Sequence, residues 1–377
     1  MATCQVAIIG AGPAGCAAAI ALARAGIDDV VVFDAGRSAR PQVGESLPPD
    51  IRPLFQQLGL WDAFTGQGHA RCLGSCSAWG SHTLGYNDFV LNPLGPGWHL
   101  DRPAFDHWFA ARVRAAGATL HEARLVRAAA TTDGHELQVR HGRRHESWQA
   151  RFVIDASGTS ARFSRLLGAR RESLDQLLFV YGFFQRPPNA AENRLGMVES
   201  VVDGWWYRAS LPRARLCIAF ACDHATLRRR QLDRWRPWLD ALAETRHVAR
   251  GLEGHVFLRD EMRIMAAPSA RLRPAAGTGW LAAGDAADSF DPLLARGIHK
   301  AIEDGIAAAV VIARWLRTGM DAALDYRDAL AARHAAYVRM REYFYARETR
   351  WPQAPFWRSR RSPAPLAHHA AASPLEA

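Results

Sequence analysis

Lysine is almost missing from this chain. Of its 47 basic residues, lysine and arginine together, only Lys300 is a lysine. The rest are arginines spread along the sequence, giving a formal net charge of +10. Such a composition fits a GC-rich coding sequence as well as attraction to an anionic ligand or acidic partner. Because the arginines form no stripe with interleaved aromatics, no nucleic-acid partner is expected. No apolar run reaches the roughly 20 residues that span a bilayer, so no membrane partner is expected. Met1-Ala2-Thr3-Cys4 leads straight into an apolar run, which leaves no room for a signal peptide, and a cytoplasmic protein is expected. The six cysteines are scattered, and Cys72-x-x-x-Cys76 has no His or Cys pair nearby, which argues against a metal site. There is no internal repeat, and only one complete GxGxxG.

That one motif carries the most information. Val6-Ala7-Ile8-Ile9 reads as a buried strand, Gly10-Ala11-Gly12-Pro13-Ala14-Gly15 follows, and Cys16 to Arg24 reads as a helix packed on a sheet. A second strand, Val30-Val31-Val32-Phe33, ends in Asp34. A GxGxxG between strand and helix, with an acid about 20 residues on, is a dinucleotide-binding fingerprint. Gly10 permits the tight turn, Gly12 the approach of a pyrophosphate, and Gly15 the close packing of helix on strand. The helix N-terminus offers N–H groups to phosphate, and Asp34 can accept hydrogen bonds from a ribose diol.

Later segments extend this domain. Arg151 to Gly158 and Gly279 to Ala287 are strands ending in an acid beside a glycine, and Gly297 to Leu316 reads as a long amphipathic helix. The expected fold class is α/β, with a doubly wound dinucleotide-binding domain. Residues about 70–98 and 175–260 are rich in aromatics and strand-like runs, as an inserted mixed-sheet domain would be. The chain after about 320 reads as helical, and the tail from 362 is expected to be disordered.

Taken together, the fingerprint, Gly44-Glu45-Ser46-Leu47-Pro48-Pro49, the Asp155-x-x-Gly158 turn and Gly284-Asp285…Asp291-Pro292…Gly297 resemble the FAD-dependent monooxygenases, in the branch that holds the tryptophan halogenases. Trp98 to Asp106, Ser77 to Ser81 and Arg350 to Trp357 resemble the flavoprotein maturases of quinone-cofactor oxidases and dehydrogenases. That resemblance implies an FAD-dependent monooxygenase that hydroxylates an indole by way of a flavin C4a-hydroperoxide, with a tryptophan of a protein or peptide precursor as its target. It implies an FAD-binding domain over 1–70, 99–172 and 262–320, a substrate domain over 71–98 and 173–261, and a C-terminal helical region over 321–361. Gly10, Gly12, Pro13, Ala14 and Gly15 would hold the pyrophosphate, and Asp34 and Ala35 the adenosine ribose. Glu45 and Ser46 would lie beside the isoalloxazine. Arg102 would reach the pyrophosphate or ribityl chain, and Val126 would flank the adenine. Gly284 and Asp285 would meet the ribityl or pyrophosphate, with Pro292, Gly297 and Ile298 bordering the flavin ring. Trp79, Trp205 and Trp206 are the expected substrate contacts.

The departures from the halogenases matter as much. Those enzymes pass hypohalous acid to a lysine downstream of Gly-Glu-Ser, where this chain reads Gly68-His69-Ala70-Arg71-Cys72-Leu73-Gly74-Ser75. Arginine is no substitute, since a pKa above about 12 leaves no neutral nitrogen. Glu45 is the first candidate for moving a proton or orienting substrate, because a carboxylate in an apolar pocket has a raised pKa. Asp291 and His69 are the other catalytic candidates. With one dinucleotide fingerprint, the reducing equivalents are expected from NAD(P)H visiting the flavin or from a partner flavin reductase. A halogenase with an atypical relay and a reductase or dehydrogenase of the same superfamily are the alternatives, and a non-enzymatic binder of a quinoprotein precursor is a third.

Overall fold

The apolar runs found in the sequence become the centre of a parallel sheet. The structure, a computed structural model, describes residues 1–36, 44–190, 192–319 and 323–361. The tail predicted over 362–377 lies outside the described residues. In one eight-stranded sheet the parallel strands run in the order Trp280–Ala282, Arg144–Asp155, Ala2–Ile9, Val30–Asp34 and Thr119–Glu122. Antiparallel strands Gly134–His141 and Arg124–Thr131 extend from Arg144–Asp155. Val6, Ala7, Ile8, Val32 and Ile154 are buried, as expected of strands covered on both faces. Pairing of Ile9 with Asp155 and Phe33, and of Asp155 with Ala282, aligns the carboxyl ends of these strands along one edge. The helices Pro13–Arg24 and Gly297–Thr318 pack against each other beside this sheet, contributing Ala14, Ala17, Ala18, Ile302 and Ala309 to one core.

A second eight-stranded sheet runs Val256–Phe257, Leu178–Gln185, Arg215–Cys222, Gly204–Leu211, Leu195–Val201, Gly74–Ala78 and Gly85–Asp88. Its neighbours are antiparallel except Leu195–Val201 and Gly74–Ala78. Arg263–Ala266, expected with the FAD-binding segments, also pairs here, against Leu178–Tyr181. Composition marks where aromatics gather but not which strand finds which partner. Side chains alternate between the faces of a strand, so the sheet carries two cores. Leu216, Ile218, Phe220 and Trp206 share one core with Trp238 and Leu242 of the helix Trp235–Ala243. Cys217, Ala219, Ala221 and Trp205 share the other with Tyr345, Phe356 and Trp357. Each large side chain buried this way contributes about 1.5–3 kcal/mol.

Two features join the sheets. The strand Gly97–His99 lies between Ser46–Leu47 and Ala70–Cys72, across the expected boundaries at 70/71 and 98/99. The helix Ala323–Ala346 starts against the parallel sheet, where the Tyr326 hydroxyl donates to the Ala282 carbonyl, and ends with Tyr345 under the second sheet. Among the described residues no helix is long and apolar enough to cross a membrane.

Candidate active site

The fingerprint loop is built as its residues require. Gly10 adopts φ +107° at the strand end, and its N–H donates to the Phe33 carbonyl. Gly12 is the N-cap of the helix Pro13–Arg24, with Pro13 in its first turn. A Cβ on Gly15 would lie 1.9 Å from the Gly10 carbonyl oxygen, so helix and loop touch there. A Cβ on Gly12 would meet no atom within 4 Å. The loop is therefore tight on its inner side and open at Gly12, beside the free N–H groups of a helix start. That shape fits a dinucleotide pyrophosphate. Ala14 is buried against Gly284, where a Cβ would come within 2.8 Å of it. Asp34 ends its strand half-buried and accepts from the Ala11 N–H, while Ala35 is exposed.

Glu45 sits between the two sheets. Its carbonyl accepts from Leu100 N–H at 2.8 Å, which fixes the loop. Glu45 is only 3 % exposed, and its buried Oε1 has no hydrogen-bond partner. Burial pushes the pKa up to about 7, against the opposing pull of Arg102, backbone N–H groups and the Cys217 thiol. Arg102 opens the helix Arg102–Ala115, capped by Asp101, and donates to the Gly44 carbonyl at 2.7 Å and to Asp106. Beside it Ser46 Oγ lies 2.6 Å from the Tyr207 hydroxyl. Tyr181, Tyr207 and Cys217 all feel the Glu45 charge, and all three come from one face of the second sheet. None of these three stands out in the sequence. The signal lies in the odd-numbered alternation of Trp205, Tyr207 and Ala209.

The segment after the parallel sheet is equally anchored. Gly284 N–H donates to Asp304, and the Asp285 carbonyl accepts from Arg171, with burial raising the Asp285 pKa. Lys300 reaches the Gly284 carbonyl and both Asp288 and Asp304, at 3.0, 2.6 and 3.0 Å. Arg333 also pairs with both acids. Asp291 caps the short turn Pro292–Leu294, and its Oδ2 accepts from the Tyr345 hydroxyl at 2.7 Å. Ala295 takes a left-handed φ of +50°, after which Gly297 starts the long helix and Ile298 is buried. Val126 lies half-buried on the antiparallel extension, its carbonyl facing Arg162.

Not every candidate gathers here. Ser46 and Ala70 pair with His99 from opposite sides, which puts the Ala70 strand two spacings, about 10 Å, from Ser46. His69, next to Ala70, packs on Phe64 and Phe105 and lines a cleft of about 350 Å³ with Arg71, Glu192 and Arg194. Burial holds its pKa down to about 4, so it is neutral, with Nδ1 facing the Asp101 N–H. Trp79 makes edge contacts with Trp205, Tyr345 and Trp357. Trp205 is fully buried on the Glu45 side of the sheet. Trp206, also an expected substrate contact, points the other way and stacks on Phe220 at 4.6 Å, because neighbours on a strand face opposite sides.

Known proteins share this build. The FAD binding domain family matches residues 3–341. An FAD-dependent oxidoreductase, LodB, of Marinomonas mediterranea is 28% identical over 364 residues, 96% of this chain and 98% of that protein. The myxobacterial chondrochloren halogenase CndH superposes with a TM-score of 0.88 at 20% identity, over 96% of this chain and 86% of that one. QhpG, a peptidyl tryptophan dihydroxylase essential for tryptophylquinone cofactor biogenesis, superposes with a TM-score of 0.71 at 24% identity, over 99% of this chain and 82% of that one. With its fingerprint loop open at Gly12, the chain belongs to the FAD binding domain family and is a flavin-dependent oxidoreductase with FAD as its cofactor.

Proposed function

We propose that this enzyme is a monooxygenase that hydroxylates an electron-rich aromatic ring, an indole, in a tryptophan of a protein or peptide precursor. The observation that carries the reading is the burial of Lys300. It is the only lysine in the chain, and two carboxylates and a carbonyl hold its ammonium group. A charge neutralised in this way is not free to take up halogen, which favours oxygen transfer over a halogenase relay. The peptidyl tryptophan activity named for QhpG supports the choice of indole.

Gly10, Gly12, Pro13, Ala14 and Gly15 would hold the pyrophosphate of FAD, with Asp34 and Ala35 at the ribose and Val126 at the adenine. Arg102, Gly284, Asp285, Pro292, Gly297 and Ile298 would line the rest of the cofactor. Reduced FAD would supply the two electrons that activate O2, one atom of which goes to the ring while the other leaves as water. The protein excludes water, orients the ring and moves a proton. Glu45 Oε1, buried without a partner, would accept the indole N–H, and the Tyr181, Tyr207 and Cys217 face would pack on the ring. Reducing equivalents come from NAD(P)H directly or from a partner reductase.

The test is incubation with reduced FAD, isotopically labelled O2 and bromide, using free tryptophan and a tryptophan-containing peptide as probes. Labelled oxygen in the indole of the peptide supports the reading, and label in free tryptophan alone overturns its peptide target. A bromine isotope pattern, or label in neither probe, overturns it.

A further inference from the structure

A chain of hydrogen bonds runs from the second sheet to the turn before the long helix. Trp205 Nε1 donates to the Tyr345 hydroxyl at 3.1 Å, and that hydroxyl donates to Asp291 Oδ2 at 2.7 Å. Asp291 Oδ1 accepts from Leu293 N–H at 3.0 Å, and the Asp291 N–H donates to the Tyr337 hydroxyl at 2.7 Å. Tyr337 in turn lies 2.5 Å from Ser269 Oγ. Trp205, Tyr345 and Asp291 are each no more than 1 % exposed. The other charges facing Asp291 are Arg341, 3.7 Å away and itself paired with Asp175 at 2.7 Å, and Asp175. Arg341 and Arg360 also lie over the Tyr345 ring, 5.0 and 5.8 Å from its centroid. Trp205 thus donates to the hydroxyl that itself donates to the buried Asp291 carboxylate, and a hydrogen bond to a charged acceptor is a strong one.

We infer that Tyr345 is a positioning residue that keeps Asp291 ionised at the head of the Pro292–Leu294 turn, and that it thereby sets how readily the bound FAD is reduced. This rests on the proposed placement of the flavin beside Pro292 and Gly297. A buried negative charge near the flavin opposes the extra electron density of its reduced form. The Tyr345 hydroxyl stabilises that charge. Burial and the Asp175 charge raise the Asp291 pKa against the pull of Arg341, the Leu293 N–H and the Tyr345 hydroxyl, so loss of that hydroxyl shifts the carboxyl toward its protonated form and makes reduction easier.

The test is the midpoint potential of the purified FAD-loaded protein at neutral pH, with no substrate needed. Asp291→Asn and Tyr345→Phe should each raise the reduced-to-oxidised ratio at a fixed poise about tenfold, close to 30 mV for a two-electron couple. The double variant should add nothing, since both remove the same charge. FAD content and melting temperature report any general loss of structure. If Tyr345→Phe does not fold, Trp205→Phe should move the potential in the same direction by less. A shift with Asp291→Asn but none with Tyr345→Phe overturns the inference and leaves the flavin placement standing. No shift with either variant overturns both.

Discussion

The Lys300 ammonium lies 2.6 Å from the Asp288 carboxylate, both of them buried, at the back of the Gly284–Asp285 turn. Asp304, four residues along the same helix, takes a second contact, and it also accepts the Gly284 N–H. The chain's single lysine is therefore part of the frame that holds the end of the parallel sheet. Replacing it with methionine leaves Asp288 with Arg333 and His334 and Asp304 with Arg333 and the Gly284 N–H, and a buried pair broken on one side costs about 3–5 kcal/mol. Lys300→Met should lower stability by that order in denaturant melts and reduce FAD content, whereas an exposed lysine would cost almost nothing.

Gly12 and Gly15 should behave oppositely when changed to alanine. The Gly12 position has open space for a methyl, so the apoprotein of Gly12→Ala should melt within about 0.5 kcal/mol of the parent. FAD affinity should nonetheless fall at least tenfold, because the methyl occupies the path of the pyrophosphate. Gly15→Ala forces its methyl onto the Gly10 carbonyl and should destabilise the apoprotein itself by more than about 1 kcal/mol. Equilibrium unfolding without FAD and fluorescence titration with FAD separate the two effects.

Glu45 gives a pH signature. Its pKa in the fold is about 7 against an ordinary 4.5, so the folded state binds more protons than the unfolded state between these values. Stability from this group is full below pH 4.5 and is lost as pH rises through 7, a change of about 3 kcal/mol at about 1.4 kcal/mol per pH unit. Glu45→Gln should flatten that slope and be more stable than the parent at pH 8. Under the proposed function, product formation should rise through pH 7 in the parent as the Glu45 carboxylate ionises. In Glu45→Gln product formation should fall at least tenfold with FAD binding retained. Denaturant midpoints across pH and product yields by mass spectrometry check each part.

Ser46 and Tyr207 share a hydrogen bond between the loop beside Glu45 and the second sheet. Tyr207→Phe keeps the ring and removes the contact, at a cost of about 1 kcal/mol in stability. Loss of loop placement should show as more H2O2 released per O2 consumed, with FAD affinity within twofold of the parent. Ser46→Ala should give the same uncoupling, and the double variant no more than either alone.

Part of this site is legible in the sequence. Gly10, Gly12, Gly15 and Asp34 are close along the chain, and their spacing alone implies strand, turn and helix with an open phosphate-sized gap. Asp285 and Gly297 can be marked because each follows a recognisable strand or opens an amphipathic helix. The partners of Glu45 cannot be marked. Tyr181, Tyr207 and Cys217 lie more than a hundred residues away and become neighbours only when antiparallel pairing sets their register. The same pairing sends Trp206 to the far core and Trp205 toward Tyr345, a distinction that adjacent tryptophans do not reveal until the strand has two faces.

Short stretches of sequence are enough to specify a dinucleotide-binding parallel α/β core, which the resemblance to known flavoproteins makes an FAD site, and to show that no lysine follows Gly-Glu-Ser where the halogenases have one. Those properties are local, written in glycine spacing, apolar runs and the presence or absence of one residue type. Tertiary packing decides the rest. It buries Lys300 between two carboxylates, raises the Glu45 pKa by withdrawing it from water, and runs a hydrogen-bond chain from Trp205 through Tyr345 to Asp291. Burial and hydrogen bonding depend on which distant segments meet, and that is set by packing two sheets and a C-terminal helix together rather than by any one stretch of chain.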